Sequence, residues 1–230
     1  MSLNPTNTRK VSAPVPANPI IPGELVEVES LSAWIEQEGG GDPFASHVRL
    51  SGDEAARADF TLLELSESQV DRCAFAACCF TRASFTDVAF SGCDFSNCDF
   101  SEANFTRCTF LSCKFTGADF TEAVFYRVEL RDSTASYAAF TKAKLGDVDV
   151  RSCDFSQAHV AEVRLVRAGF DDVRFMGTSF FRTSLAGVDL TRCQLADIVL
   201  SDEMGELRGC IMDLYQAAGI AQRLGVEIKD

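Results

Sequence analysis

Ten cysteines, two histidines and 34 acidic side chains are the groups through which this 230-residue chain could do chemistry. Eight of the cysteines, Cys73, Cys78, Cys93, Cys98, Cys108, Cys113, Cys153 and Cys193, are spaced by multiples of five, and none forms the Cys-x-x-Cys pair of a zinc or redox site. Stacking with a twenty-residue period would place Cys73, Cys93 and Cys113 above one another, and Cys78 above Cys98. Neighbours about 4.8 Å apart fall within the Cα range of a disulfide. Their side chains would run parallel, however, and a reducing cytoplasm opposes the bond. These eight read as small buried hydrophobes. Cys79 and Cys210, outside that lane, are the more reactive candidates. His47 and His159 have no adjacent nucleophile or glycine-rich phosphate loop beside them. Carboxylates recur on a repetitive surface, where they stay solvated. The sequence therefore assigns no catalytic residue, metal ligand or cofactor, and predicts a protein that is not an enzyme.

What must position these groups is a repeat. From Phe60 to Leu200 every fifth residue is large and apolar except Ala135. The series includes the unbroken run Phe95, Phe100, Phe105, Phe110, Phe115 and Phe120, the predicted core stack. A second, mostly small lane lies two residues earlier, as in Ala83, Cys93, Cys98, Ala103 and Ala118. On an α-helix, residues five apart are rotated by roughly 140° and would scatter around the axis. On a continuous strand they would alternate faces. All can point inward only if the chain turns a corner every five residues, with positions i and i−2 sharing a face within each short segment. The pattern predicts a solenoid whose coils stack like strands in a sheet.

Segments such as Cys93-Asp94-Phe95-Ser96-Asn97, Cys98-Asp99-Phe100-Ser101-Glu102, Ala103-Asn104-Phe105-Thr106-Arg107 and Ala118-Asp119-Phe120-Thr121-Glu122 resemble the pentapeptide-repeat family. Its consensus is a small residue, Asp or Asn, Leu or Phe, Ser or Thr, then a polar residue. The resemblance implies an all-β solenoid, a right-handed quadrilateral β-helix with four repeats per coil. Seven or eight coils at about 4.8 Å each would make a rod roughly 35–40 Å long.

The flanking segments divide the rest of the chain. Residues 1–23 hold five of the six prolines and read as a disordered tail. They lack the apolar run of a signal peptide and the acid-poor character of a transit peptide. With no apolar run near the roughly 20 residues of a membrane span, a soluble cytoplasmic protein is expected. Residues 24–57 are predicted to cap the open end, with Ser30 or Ser32 starting a short helix through Leu31, Trp34 and Ile35 that Gly39-Gly40-Gly41 stops; Val48-Arg49-Leu50 is in register with Phe60, where an imperfect coil can already begin. The repeat array is assigned to 58–212, with a weak repeat at Ser133 to Ala135 where neighbouring rings are expected to lean in, or the rod to bend locally. After Leu200 the register slips by two residues. In 213–230, Asp213 and Gln216 form a capping box for a helix, Gly225 stops it, and Val226-Glu227-Ile228 reads as a final strand. This ending resembles the C-terminal module of the Qnr, MfpA and AlbG group of topoisomerase-binding pentapeptide proteins. The resemblance implies a homodimer, with Leu207, Met212, Leu214, Tyr215, Ile220 and Leu224 as candidate cap and dimerisation residues.

With 21 basic against 34 acidic residues, the net charge is −13. Direct nucleic-acid binding is disfavoured, since phosphates must be neutralised by Lys and Arg. An acidic rod could instead occupy a basic DNA-binding groove. Sorting residues modulo twenty gives a candidate acidic partner-binding face of Asp99, Glu102, Asp119, Glu122 and Glu162, and a second acid-rich face with Glu129, Asp149, Asp171 and Asp189. A mildly basic face carries Arg107, Arg127, Lys144, Arg164 and Arg167. Two functions follow. One is a DNA-mimicking rod that binds DNA gyrase or topoisomerase IV; the other is an interaction scaffold with an unrelated protein partner.

Overall fold

The computed structural model describes residues 13–37 and 43–229. These form a right-handed quadrilateral β-helix of about eight turns, with one short helix near each end. Successive coils pair in parallel with a twenty-residue offset, as in Phe85↔Phe105↔Phe125↔Leu145↔Leu165. The four faces are named here by the inward side chains of one coil: Phe100, Phe105, Phe110 and Phe115.

Each corner is made by the residue two after the inward one. It takes a left-handed conformation, with φ of 59°, 58° and 53° at Arg82, Glu102 and Arg107. That conformation costs an L-residue about 1–2 kcal/mol. The ladder offsets the cost, because the corner amides donate to the next coil: Arg82 N to Ser101 O at 2.9 Å, Glu102 N to Thr121 O at 2.9 Å, Arg107 N to Tyr126 O at 3.0 Å. Corners are of two kinds. After the Phe100 and Phe115 faces the chain closes a tight turn, with Ala103 N on Phe100 O and Ala118 N on Phe115 O, both at 3.0 Å. Between the Phe105 and Phe110 faces the ladder pairing continues past the left-handed corner residue, in the eight-residue strands Glu64–Asp71, Ser84–Ser91, Lys144–Arg151 and Arg164–Asp171.

Inside, the aromatic lane stacks coil upon coil. Phe80–Phe100–Phe120–Phe140 have ring centroids 4.8, 5.1 and 4.9 Å apart, with their planes nearly parallel. Adjacent faces meet edge to face, as in Phe95–Phe100 at 5.5 Å and 71°. The small lane has a polar task as well as a steric one. A thiol or hydroxyl there donates to the carbonyl 23 residues earlier: Cys93 to Val70, Cys108 to Phe85, Thr178 to Phe155, Thr183 to Val160. Ser133 instead accepts from Cys113 N at 3.0 Å and donates to Arg131 O at 2.7 Å.

At the weak repeat, Ala135 leaves a ring missing from the Phe115 column. Phe155 leans across to Phe140, with centroids 5.6 Å apart and planes at 29°, where the equivalent pair Phe60–Phe75 stands at 88°. The lean expected from the sequence is seen. A small apolar cavity of about 30 Å³ remains nearby, lined by Leu130, Phe140, Leu145, Val150, Phe155 and Val160 among others.

The ends differ in part from expectation. Coiling starts before residue 58: Phe44 pairs with Glu64, Arg49 with Gln69 and Glu54 with Ala74, so this stretch is solenoid rather than cap. Strand Val26–Val28 joins with a 22-residue offset, and helix α1 (Leu31–Gln37) covers the end. Ser30 is the residue whose hydroxyl accepts from Ala33 N, while Asp53 accepts from Leu31 N at 2.9 Å. Leu31 is fully buried, and Trp34 and Ile35 pack half-buried against the core. The glycine run expected to stop this helix lies outside the described residues.

Of the predicted tail, residues 1–12 also lie outside them. Residues 13–23, expected to be disordered, instead form an extended strap on the solenoid. Val15 N and Ile20 N reach Asp147 Oδ1 at 3.4 Å and Asp87 Oδ1 at 3.0 Å. Those two aspartates are three coils apart, about 14 Å, which five residues span at close to the polyproline II rise of about 3.1 Å. Four prolines in this stretch fix that conformation before it docks.

At the other end the slip is two residues: Leu185 N bonds Glu206 O and Leu190 N bonds Ile211 O, 21 residues on instead of 19. Glu206 in this insertion is buried. Burial would push its carboxyl up, but the Arg182 and Ser201 amides and the Ser201 hydroxyl hold it below its ordinary value. Helix α2 (Leu214–Arg223) carries the capping box, with Gln216 N on Asp213 and Asp213 N on Gln216. Gln216 also donates to the carbonyls of Leu190 and Cys193, and Arg223 to that of Ile198, so the helix satisfies the last open edge. Gly225 follows with φ +80°, but Val226-Glu227-Ile228 forms no strand.

Phe105 sits between Phe85 and Phe125 at 5.0 and 4.8 Å. Phe105→Ala is expected to lose about 3–5 kcal/mol, read as a lower urea midpoint. Phe105→Asp is expected to give no soluble β-rich protein, since it buries an unpaired charge. Wild-type melting of the Asp variant would overturn the inward assignment.

Candidate partner-binding surfaces

The side chains that could do chemistry are dispersed. All ten cysteines are free, and the eight of the small lane are buried. Burial pushes the Cys108 thiol up to about 12 and that of Cys153 to about 11, so both stay protonated and inert. Cys79 is half-buried and sits within 3.2 Å of the hydroxyls of Thr61 and Thr81. His47 pairs with Glu67 at 2.8 Å; no group of three or more metal-ligating side chains converges among the described residues. No helix among them is long and apolar enough to cross a membrane.

The candidate acidic face is brought together, with its members in two distinct roles. Asp99 and Asp119 stand in one column on the Phe100 face, one coil apart. Each folds back on its own backbone, accepting from Ser101 N and Thr121 N at 2.8 Å. Asp59, Asp94, Asp154 and Asp189 do the same. The Asp of the repeat therefore shapes the turn into the next face, and the polar fourth position supplies the amide. The Asp99 carboxyl is half-buried, which pushes it up, but the Ser101 hydroxyl and amide hold it below its ordinary value. Glu102, Glu122 and Glu162 occupy the corner column and project outward. Glu102 pairs with Arg82 at 3.0 Å and Glu122 approaches Lys142 at 3.9 Å. Glu162 makes no ion pair among the described residues.

On the Phe110 face the acids are also answered by cations, with Asp149 on Arg151 at 2.6 Å and Asp171 on Arg192 at 2.9 Å. Together with Pro14 and Pro16 of the strap they border an open trough of about 550 Å³.

The fold and its turn chemistry point to one family. A family model described as a pentapeptide repeat region matches residues 63–140 and 103–173. The chain carries a pentapeptide repeat region. Among solved structures it is similar to QnrB1, a plasmid-mediated fluoroquinolone resistance protein. A trypsin-treated form matches at 22% identity and a TM-score of 0.50, over 90% of this chain and 100% of that one. Full-length QnrB1 matches at 21% identity and 0.49, over 88% and 99%. HetL, a pentapeptide repeat protein involved in heterocyst differentiation regulation from the cyanobacterium Nostoc sp. strain PCC 7120, matches at 16% and 0.33, over 81% and 95%. At these identities the likeness is one of fold. No curated protein matches.

The C-terminal candidates separate into two sets. Leu207, Met212 and Ile220 pack against the solenoid end. Leu214, Tyr215 and Leu224 face outward, at 80%, 87% and 64% exposure, with Val226 and Ile228 exposed nearby.

Sequence reasoning missed the clasp along the corner between the Phe105 and Phe110 faces. Arg107 grips Asp87 with two nitrogens, at 2.7 and 2.5 Å, and Arg167 grips Asp147 with two at 2.5 Å. Opposite charges twenty residues apart were the available signal. The strap amides then complete each carboxylate. For Asp87 the Arg107 guanidinium is the leading cause of a lowered carboxyl; burial opposes it, and the Ile20 amide adds to the lowering. Asp147 is lowered in the same way by Arg167, against burial, with help from Val15 N. A depressed carboxyl stabilises the folded form above the ordinary Asp range near pH 4 and loses that contribution as pH falls through its folded value. Hydrogen exchange is therefore expected to show residues 15–20 protected at neutral pH and released on acidification below about pH 4. Asp87→Asn with Asp147→Asn should release them at pH 7. Equal protection in the double variant would show that the aspartates do not hold the strap.

Proposed function

We propose that this chain is a non-enzymatic, acidic rod that works by binding, acts as a cytoplasmic homodimer, and inserts into the DNA-binding groove of a type II topoisomerase, DNA gyrase or topoisomerase IV. The observation that carries the reading is the Phe100 face, where a rigid ladder presents Glu102, Glu122 and Glu162 outward on a chain of net charge −13. A rod of about 38 Å with that charge carries one net charge per roughly 3 Å, against one per about 1.7 Å of duplex DNA. It would be a diluted mimic, steered to a basic groove by long-range attraction that salt weakens. The fold it shares with a fluoroquinolone resistance protein supports the choice of target. The exposed Leu214, Tyr215 and Leu224 supply an apolar surface at one end suited to self-association.

A second reading, a scaffold for a different protein partner, is favoured by one observation. Arg82 and Lys142 lie against Glu102 and Glu122, partly neutralising the face that mimicry requires.

A supercoiling assay with purified gyrase, with and without a fluoroquinolone, tests the first reading. Glu102→Gln, Glu122→Gln and Glu162→Gln together are expected to abolish inhibition or drug rescue with melting little changed, since exposed pairs contribute at most about 1 kcal/mol each. Asp99 and Asp119 are left intact because they hold turns. No effect of the wild-type protein on gyrase would sink this reading and leave the scaffold. Separately, Leu214→Glu with Tyr215→Glu is expected to convert the dimer to a monomer in sedimentation equilibrium; a wild-type monomer would remove the dimer from the proposal.

A further inference from the structure

The Phe105 face carries a second surface, independent of the acidic one. Between Tyr126 and Val166 the outward position is Gly146, in the middle of strand Lys144–Arg151. Gly146 has no positive φ, so the backbone does not demand glycine there. The same column holds Ser66, Thr86 and Thr106 elsewhere. Glycine inside a strand weakens it and often marks close approach by another group. A Cβ at this position would stand 3.4 Å from Tyr126 Cδ2, so the ring already borders the gap. The result is a shallow depression of about 250 Å³ floored by Gly146, with Tyr126 and Val166 partly exposed beside it and Lys144 and Arg164 on one flank.

The charges around this depression are unbalanced. Lys144 and Arg164 are direct register partners, and neither makes an ion pair among the described residues. Like charges directly opposite on a sheet are unfavourable. Arg127 lies over the Tyr126 ring at 5.2 Å, and Asp147, the acid at this corner, is taken by Arg167. A local excess of positive charge thus persists on a chain of net charge −13.

We propose that this surface docks an extended acidic segment of a partner protein, with an aromatic or large apolar side chain seated over Gly146 and carboxylates reaching Lys144, Arg164 and Arg127. In an extended segment, side chains two apart share a face at about 6.6 Å. The recognised pattern is therefore acid-x-aromatic-x-acid. The patch spans only three coils, about 10–15 Å. A longer polyanion such as a nucleic acid would run from it onto acidic surface, where its phosphates find no counter-charge.

The test is fluorescence anisotropy with a fluorescein-labelled peptide, Gly-Glu-Ser-Phe-Ser-Glu-Gly, at low salt. The wild-type protein is expected to bind it, and replacing its Phe by Ala to weaken binding at least fivefold. Lys144→Glu with Arg164→Glu should weaken it tenfold or more. Gly146→Val should reduce the Phe peptide to the affinity of the Ala peptide. Melting curves check each variant, and Tyr126→Ala serves as the second probe of the apolar seat if Gly146→Val does not fold. No binding by the wild type, unchanged binding in the charge variant, or equal affinity for a single-stranded oligonucleotide of matched charge would each overturn the proposal.

Discussion

The twenty-residue parallel register is the constraint on which everything else depends. It requires a left-handed residue at nearly every corner, most of them ordinary L-residues. Such a conformation persists only where the surroundings over-determine it. Here each corner amide is bound by the next coil, so every coil stabilises the strained corners of its neighbour. Stability is then shared along the rod and falls at its ends. That explains why both ends carry devices the middle does not need: α1 with the Asp53 bond at one end, and α2 with Gln216 and Arg223 on open carbonyls at the other.

The same register assigns chemistry by column. Side chains twenty apart stand about 4.8 Å from one another, so any charge in the sequence has a fixed neighbour. Where the neighbour is opposite, as at Asp87 and Arg107 or Arg82 and Glu102, the column is quiet. Where it is alike, as at Lys144 and Arg164, the surface retains an unmet charge. The functional surfaces of this rod are therefore departures from pairing within columns. Clefts contribute little, because the interior is filled by rings and the internal gap near Ala135 is small and apolar.

The turn chemistry also divides the acids. Asp before the inward residue bonds the amide two residues on, and so belongs to the fold. Glu at the corner projects outward, and so is available to a partner. Composition counts both alike in the net charge of −13, but only the second kind can be altered without disturbing the turn.

Much of this was legible without coordinates. The five-residue period placed the core stack from Phe95 to Phe120, the weak repeat at Ala135, the two-residue slip after Leu200 and the Asp213–Gln216 box, because each is a local pattern with one stable solution. The columns themselves follow from counting by twenty. What counting could not supply is contact between segments without a shared period. Residues 13–23 have no repeat, so their composition read as disorder; only the assembled corner, with Asp87 and Asp147 each clamped by an arginine, offers acceptors spaced for a polyproline strap. The separation of Leu214, Tyr215 and Leu224 from Leu207, Met212 and Ile220 depends on how α2 is tilted onto the last coil. Tertiary structure decides such cases because they turn on which surfaces meet, and a sequence lists residues without saying what lies across from them.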